Sequence, residues 1–144
     1  ILRIKHTRYA HLIGNYLDLG LLGIKVPEVE DPEVVQEAID AFYYPPLGRR
    51  SWGGEVGFGK QSFDDRVEYA NWWNKTGILA TKVESLKAVL TVRSLANPLL
   101  TFMDYGPNDL RFSMETTPHP RLKTVEDCKE FVNEELVDVD IRIM

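Results

Sequence analysis

A chain of 144 residues, 44% of them hydrophobic, is long enough for a buried core and is expected to form one domain over residues 1–144. Its 17 basic and 22 acidic residues leave a formal charge of −5, so there is no electrostatic reason to expect nucleic acid or an anionic membrane as partner. No apolar run approaches the ~20 residues of a membrane span, and the single cysteine, Cys128, excludes an internal disulfide or a cysteine-based zinc site; a cytoplasmic location is expected.

The elements follow in chain order. Residues 2–4 suit a short strand, and residues 6–19 carry apolar positions close to helical period, with Gly20 and Gly23 as stop signals. The apolar run 21–26, ended by Pro27, suits a buried parallel strand. Asp31 followed by Pro32 is a helix start, with Val34, Val35, Ala38, Ile39 and Phe42 on one face. Tyr44-Pro45-Pro46-Leu47-Gly48 ends that helix and leads into a glycine-rich loop over 51–59. A helix over 64–73, a strand over 77–83, a helix over 85–94 and a strand over 99–103 come next. Residues 110–120 read as loop, 124–136 as a helix capped by Thr124, and 138–144 as a closing strand. Trp72 and Trp73 fit helix packing, and Cys128 fits a core position.

Strands alternating with helices predict parallel strands joined by right-handed crossovers. Ligands in such folds sit at the carboxyl ends of the strands. Arg3, Pro27 and Glu28, Glu84, and the segment from Tyr105 to Asp109 lie there. Glu84 and Asp109 are hard oxygen donors placed at one mouth from neighbouring strands, which suits Mg²⁺ or Mn²⁺. Taken alone, Glu84 also suits an acid at a helix start and Asp109 a turn cap. Arg3 also suits a surface ion pair, and Asp18 a helix-end cap.

Several blocks carry a resemblance. Gly106-Pro107-Asn108-Asp109-Leu110 resembles the Gly-Pro-x-Asp-Leu motif of the HpcH/HpaI aldolase and citrate lyase family. Val83-Glu84-Ser85-Leu86-Lys87-Ala88 is similar to that family's Ile-Glu-Thr-x-Glu-Ala segment. Tyr44-Pro45-Pro46-Leu47-Gly48-Arg49-Arg50 resembles its Tyr-Pro-Pro-x-Gly-x-Arg, and Leu17-Asp18-Leu19-Gly20 with Gly23 to Pro27 its Leu-Asp-x-Gly…Gly-x-x-Val-Pro. The blocks stand in the family's order.

The resemblance implies an α/β fold, a (β/α)₈ TIM barrel of the phosphoenolpyruvate/pyruvate type, of which residues 1–144 would be a single partial domain holding about strands 3–7. It implies a carbon–carbon lyase that cleaves or forms a 2-oxo acid through a pyruvate enolate held on a divalent metal. Glu84 and Asp109 resemble the metal ligands, with Mg or Mn expected and Co or Zn the other candidates. Arg3 resembles the arginine that stabilises the enolate oxygen. Gly106, Pro107, Asn108 and Asp109 resemble the turn whose amides bind the substrate carboxylate. Asp18 resembles the aspartate that orients the family's catalytic histidine, and the loop 53–59 is expected near the mouth. A small-molecule 2-oxo acid and an aldehyde are the implied partners, with a homo-oligomer, trimer or hexamer. An alignment placing Lys82 at the metal-ligand position is rejected, because it loses the match of Val83, Glu84, Ser85 and Ala88, and a protonated lysine does not ligate Mg²⁺.

The sequence departs from the pattern in one respect that matters. None of His6, His11 or His119 matches the catalytic histidine, which the family supplies from a segment before Arg3. The chain is therefore expected to be a stretch of a longer protein. Two other readings stand beside it: a citrate-lyase-like or acyl-CoA hydroxy-acid lyase, and a non-catalytic truncated family member that binds a 2-oxo acid or a protein partner.

Overall fold

The computed structural model describes residues 1–144. Four parallel strands pair in sequence order: β1 (Leu2–Arg3), β2 (Gly23–Val26), β3 (Ile78–Val83) and β4 (Phe102–Tyr105). The register aligns Arg3 with Lys25, Lys25 with Ala80, and Lys82 with Asp104. Period-two alternation then separates two faces. Ile24, Val26, Leu79, Thr81, Val83 and Met103 are buried on one face. Arg3, Lys25, Lys82 and Asp104 share the other, where the Lys25 ammonium pairs with the Asp104 carboxylate.

The buried face packs against α1 (Ile13–Leu17), α2 (Pro32–Phe42), α3 (Arg66–Thr76), α4 (Leu86–Leu90), α5 (Val92–Leu95), α6 (Pro107–Thr116) and α7 (Val125–Glu135), giving one cluster of 30 buried residues. Local chemistry fixes the helix starts. The Asp31 carboxylate accepts the Glu33 N–H at 2.9 Å ahead of Pro32. Asp65 caps α3 through the Val67 and Glu68 amides. Thr124 and Asp127 form a reciprocal capping box on α7. Trp73 is fully buried, and its indole N–H donates to the Phe42 carbonyl at 3.1 Å, joining α3 to the end of α2. Trp72 packs on Phe58 and Phe63, so both tryptophans serve packing. Cys128 is buried against Met114. No helix is long and apolar enough to cross a membrane.

The parallel α/β organisation follows the sequence expectation, with five departures. The strand expected over 99–103 lies at Phe102–Tyr105, because residues 98–101 form a turn and bend ahead of it. Residues 7–12 form a 3-10 helix that turns into α1, so the expected helix over 6–19 is a composite. The helix over 85–94 breaks at Thr91 into α4 and α5. The segment expected as a loop over 110–120 is mostly helical, because Pro107 opens α6 as its first residue and Leu110 anchors it in the core. The closing strand is reduced to a bridge between Ile143 and Met103, with Met144 donating to the Met103 carbonyl at 2.9 Å.

Candidate active site

Glu84 stands immediately after β3, two residues beyond Lys82, and its side chain is only 4% exposed. A buried carboxylate needs partners. Its Oε1 accepts the Glu28 N–H at 2.6 Å, and its Oε2 lies 3.3 Å from the Lys82 ammonium. Glu28 reaches that position with a φ of 53°, in the left-handed region that a non-glycine residue rarely adopts. The turn after Pro27 therefore holds local strain where its amide meets Glu84, as functional sites often do. Ser85 caps α4, with its Oγ accepting the Ala88 N–H at 3.1 Å, and the Leu86 N–H donates to Ser113 of α6 at 2.9 Å. The second bond ties the start of α4 to α6, and the Gly106 N–H donates to the Val83 carbonyl at 3.1 Å across the ends of β3 and β4.

Gly106 closes the other side of Glu84. A Cβ added there would fall 2.3 Å from Glu84 Oε2 and 2.5 Å from Glu84 Cβ, so only glycine lets the two segments approach. Pro107 then starts α6, whose first hydrogen bond runs from Leu110 N–H to Gly106 O at 2.9 Å. The amides of Asn108 and Asp109 are left as first-turn donors at a helix N-terminus. Asp109 is exposed and faces a groove of about 560 Å³. Glu84 lines the same groove, together with His6, Glu28, Glu30 and Ser113. The structure thus brings Glu84 and Asp109 to one surface, as the strand order predicts.

No cluster of three or more His, Cys, Asp or Glu side chains is assembled around a metal position. The donor set suits a hard cation held by two carboxylates, with water and substrate completing its shell, which is the usual mode for Mg²⁺. The close approach of Gly106 to Glu84 supports that fit, since it keeps one carboxylate oxygen at the turn that carries Asp109.

The remaining candidates separate. Arg3 ends β1 and is exposed, but it does not line the groove; His6, three residues on, does. His6 accepts the Arg8 N–H on Nδ1 at 3.1 Å and turns Nε2 toward the Glu28 carboxylate at 3.8 Å. Asp18 lies in a different depression, of about 370 Å³, with His11, Arg50 and Gly53. There its carboxylate accepts a 2.7 Å bond from Arg50, whose side chain is 1% exposed and sits 4.7 Å and 4.8 Å from the Tyr44 and Trp73 ring centres. Burial pushes the Tyr69 hydroxyl in this aromatic cluster up to about 12, and burial lowers the neighbouring Lys60. The glycine-rich loop belongs here too. Gly53 packs directly on Asp18, and Lys60 donates to the Gly54 carbonyl. The loop therefore does not line the mouth of the groove. Its glycines instead admit the Asp18 carboxylate and the Lys60 side chain. His119 accepts the Leu122 N–H at 3.2 Å and organises a turn away from the groove.

Sequence reasoning weighed Lys82 only to reject it as a metal ligand, and gave no role to His6 or to the backbone of Glu28. The signal for Lys82 was its position two residues before Glu84 along a strand, which puts both side chains on one face. The left-handed turn at Glu28 had no signal beyond its place after Pro27.

A family model described as HpcH/HpaI aldolase/citrate lyase matches residues 1–137. A 2-keto-3-deoxy-L-rhamnonate aldolase of Salmonella paratyphi B is 29% identical over 128 residues, covering 81% of this chain and 45% of that protein. The crystal structure of an HpcH/HpaI aldolase from Desulfitobacterium hafniense superposes with a TM-score of 0.79 at 27% identity, covering 98% of this chain and 54% of the other. The fold of a citrate synthase, SbnG, matches with a TM-score of 0.77 at 21% identity, over 98% of this chain and 53% of that one. The chain spans about half the length of the relatives it matches. With the model covering nearly every residue, including the turn from Gly106 to Asp109 and the strand end at Glu84, the chain belongs to the HpcH/HpaI aldolase/citrate lyase family.

Proposed function

We propose that this chain carries the cation-binding half of a carbon–carbon lyase that cleaves or forms a 2-oxo acid adduct of an aldehyde. One observation carries the reading: in a chain of this family, Glu84 and Asp109 line one groove at the carboxyl ends of adjacent parallel strands. A 2-keto-3-deoxy sugar acid is the proposed substrate class, in line with the name of the aldolase relative. The proposed setting is a (β/α)₈ barrel in which β1 to β4 and the Ile143 bridge are strands 3 to 7. A cytoplasmic homo-oligomer, trimer or hexamer, is proposed with it.

Each residue has a defined task. Glu84 and Asp109 would hold a divalent cation, Mg or Mn first, with Co or Zn as the other candidates. Bound there, the cation supplies Lewis-acid polarisation of the 2-oxo group. The amides of Asn108 and Asp109, with the positive end of α6 behind them, receive the substrate carboxylate. Gly106 and Pro107 fix that turn. Arg3, on the polar face of the sheet, is assigned to the oxygen that gains charge as the carbon–carbon bond breaks, a role suited to a permanently charged guanidinium. Asp18 is assigned to positioning through Arg50 in its own depression. Proton transfer falls to water or to a histidine outside the matched blocks.

The test is pyruvate release from 2-keto-3-deoxy-L-rhamnonate by the full-length protein, with Mn²⁺ or Mg²⁺ against a chelator. Glu84→Ala and Asp109→Ala should each lower turnover by about 10²-fold or more, the scale of several kcal/mol of lost charge stabilisation. Unchanged turnover in both variants would refute the assignment. Cleavage of a citrate-like or acyl-CoA hydroxy acid in place of the sugar acid would move the chain to the sibling reaction.

A further inference from the structure

We infer that Lys82 is the resident counter-ion of Glu84 and sets how weakly this site holds a divalent cation; the inference rests on Glu84 and Asp109 being the cation ligands. Residues 82 and 84 fall on the same face of the extended chain because side-chain direction repeats every two residues. The Lys82 ammonium accordingly lies 3.3 Å from Glu84 Oε2, with the two side chains 17% and 4% exposed. The carboxylate opposite Lys82 in the sheet register, Asp104, is already paired with Lys25. Glu84 is thus the only carboxylate within ion-pair distance of Lys82.

The two oxygens of Glu84 are unequal. Oε1 is held by the Glu28 amide at 2.6 Å, and Gly106 walls in the rest of the side chain. The carboxylate cannot swing away to offer a second oxygen. A divalent cation held through Oε2 would share that oxygen with the Lys82 ammonium, which lies 3.3 Å from it. Binding must displace Lys82 or endure like-charge repulsion in a site with little solvent to screen it. Lys82 is therefore a positioning residue that competes with the metal rather than ligating it. Its neutral replacement makes the carboxylate a better ligand.

The experiment titrates Mn²⁺ into the full-length protein, following free Mn²⁺ by electron paramagnetic resonance, with folding checked by thermal melts. Lys82→Gln and Lys82→Met should each bind Mn²⁺ about tenfold or more tighter than the unsubstituted protein, a difference of about 1.4 kcal/mol per decade. Lys82→Arg, which keeps the charge, should stay close to the starting affinity. Two neutral variants of different polarity guard against one that fails to fold. If both neutral variants bind no tighter, or if Lys82→Arg tightens binding equally, the counter-ion role is overturned while the site reading stands. Failure of the site reading has a different signature: Glu84→Gln would retain the unsubstituted affinity. Borohydride trapping of pyruvate on Lys82 would also overturn the inference, by making this lysine a nucleophile.

Discussion

Gly106→Ala is the substitution with the sharpest expected effect on the groove. The new methyl would stand 2.3 Å from Glu84 Oε2 and 2.5 Å from Glu84 Cβ. Ordinary van der Waals contact begins near 3.4 Å, so the carboxylate or the turn must move by about 1 Å. Glu84 has nowhere to go, being 4% exposed and tied to the Glu28 amide. The shift must be shared between the strand end and the start of α6. Overpacking of this kind destabilises by about 1–3 kcal/mol, and a misplacement of ~1 Å at a reacting centre lowers turnover by about 10²-fold. Gly20→Ala is the matched control. It has nothing within 4 Å, but its φ of +92° makes it strained as alanine, by about 1 kcal/mol. Urea unfolding and Mn²⁺ titration of both variants separate the effects. Both should lose stability, and only Gly106→Ala should lose Mn²⁺ affinity, by about tenfold or more. Equal Mn²⁺ affinity in Gly106→Ala and the parent protein would refute the role given to this close approach.

Two further outcomes follow from other parts of the molecule. Asp18→Asn leaves the Arg50 guanidinium, 1% exposed, without its carboxylate. Breaking a buried pair costs about 3–5 kcal/mol; with Asp18 27% exposed, about 2–3 kcal/mol is expected. A urea-derived loss under about 0.5 kcal/mol would show that the aromatic rings around Arg50 suffice. The second outcome concerns pH. Hydrogen bonds from the Lys123 and Thr124 amides hold the Asp127 carboxyl below the usual aspartate range. Its folded value is depressed, so its stabilisation is complete above the unfolded value, near 3.9, and is lost as pH falls through the folded one. The difference in Tm between the parent and Asp127→Asn should be largest near neutral pH and shrink below about pH 4. A pH-independent difference would contradict the capping role.

Much of this was legible in the residues, for identifiable reasons. Strands that alternate with helices gave parallel pairing, and the carboxylates after β3 and β4 then had to reach one surface. The capping box at Thr124 was readable because it is local chemistry. α6 was hidden because Gly106-Pro107-Asn108-Asp109 reads equally as a turn, and only the burial of Leu110 selects the helix. The separation of Asp18 from the groove was not legible. It depends on where the end of α1 and the loop through Arg50 come together, a tertiary pairing of residues 32 positions apart. The Lys82 ion pair lay in plain periodicity, yet a lysine beside a ligand carboxylate is read as a competitor only once its distance is known.

The central claim is that Glu84 and Asp109 together hold a divalent cation. Anomalous diffraction from crystals of the full-length protein soaked in Mn²⁺ tests it most directly. The account predicts a manganese peak within about 2.0–2.3 Å of one oxygen from each carboxylate, with the Lys82 ammonium moved off Glu84. A well-occupied manganese peak elsewhere, with Glu84 still paired to Lys82, would contradict it.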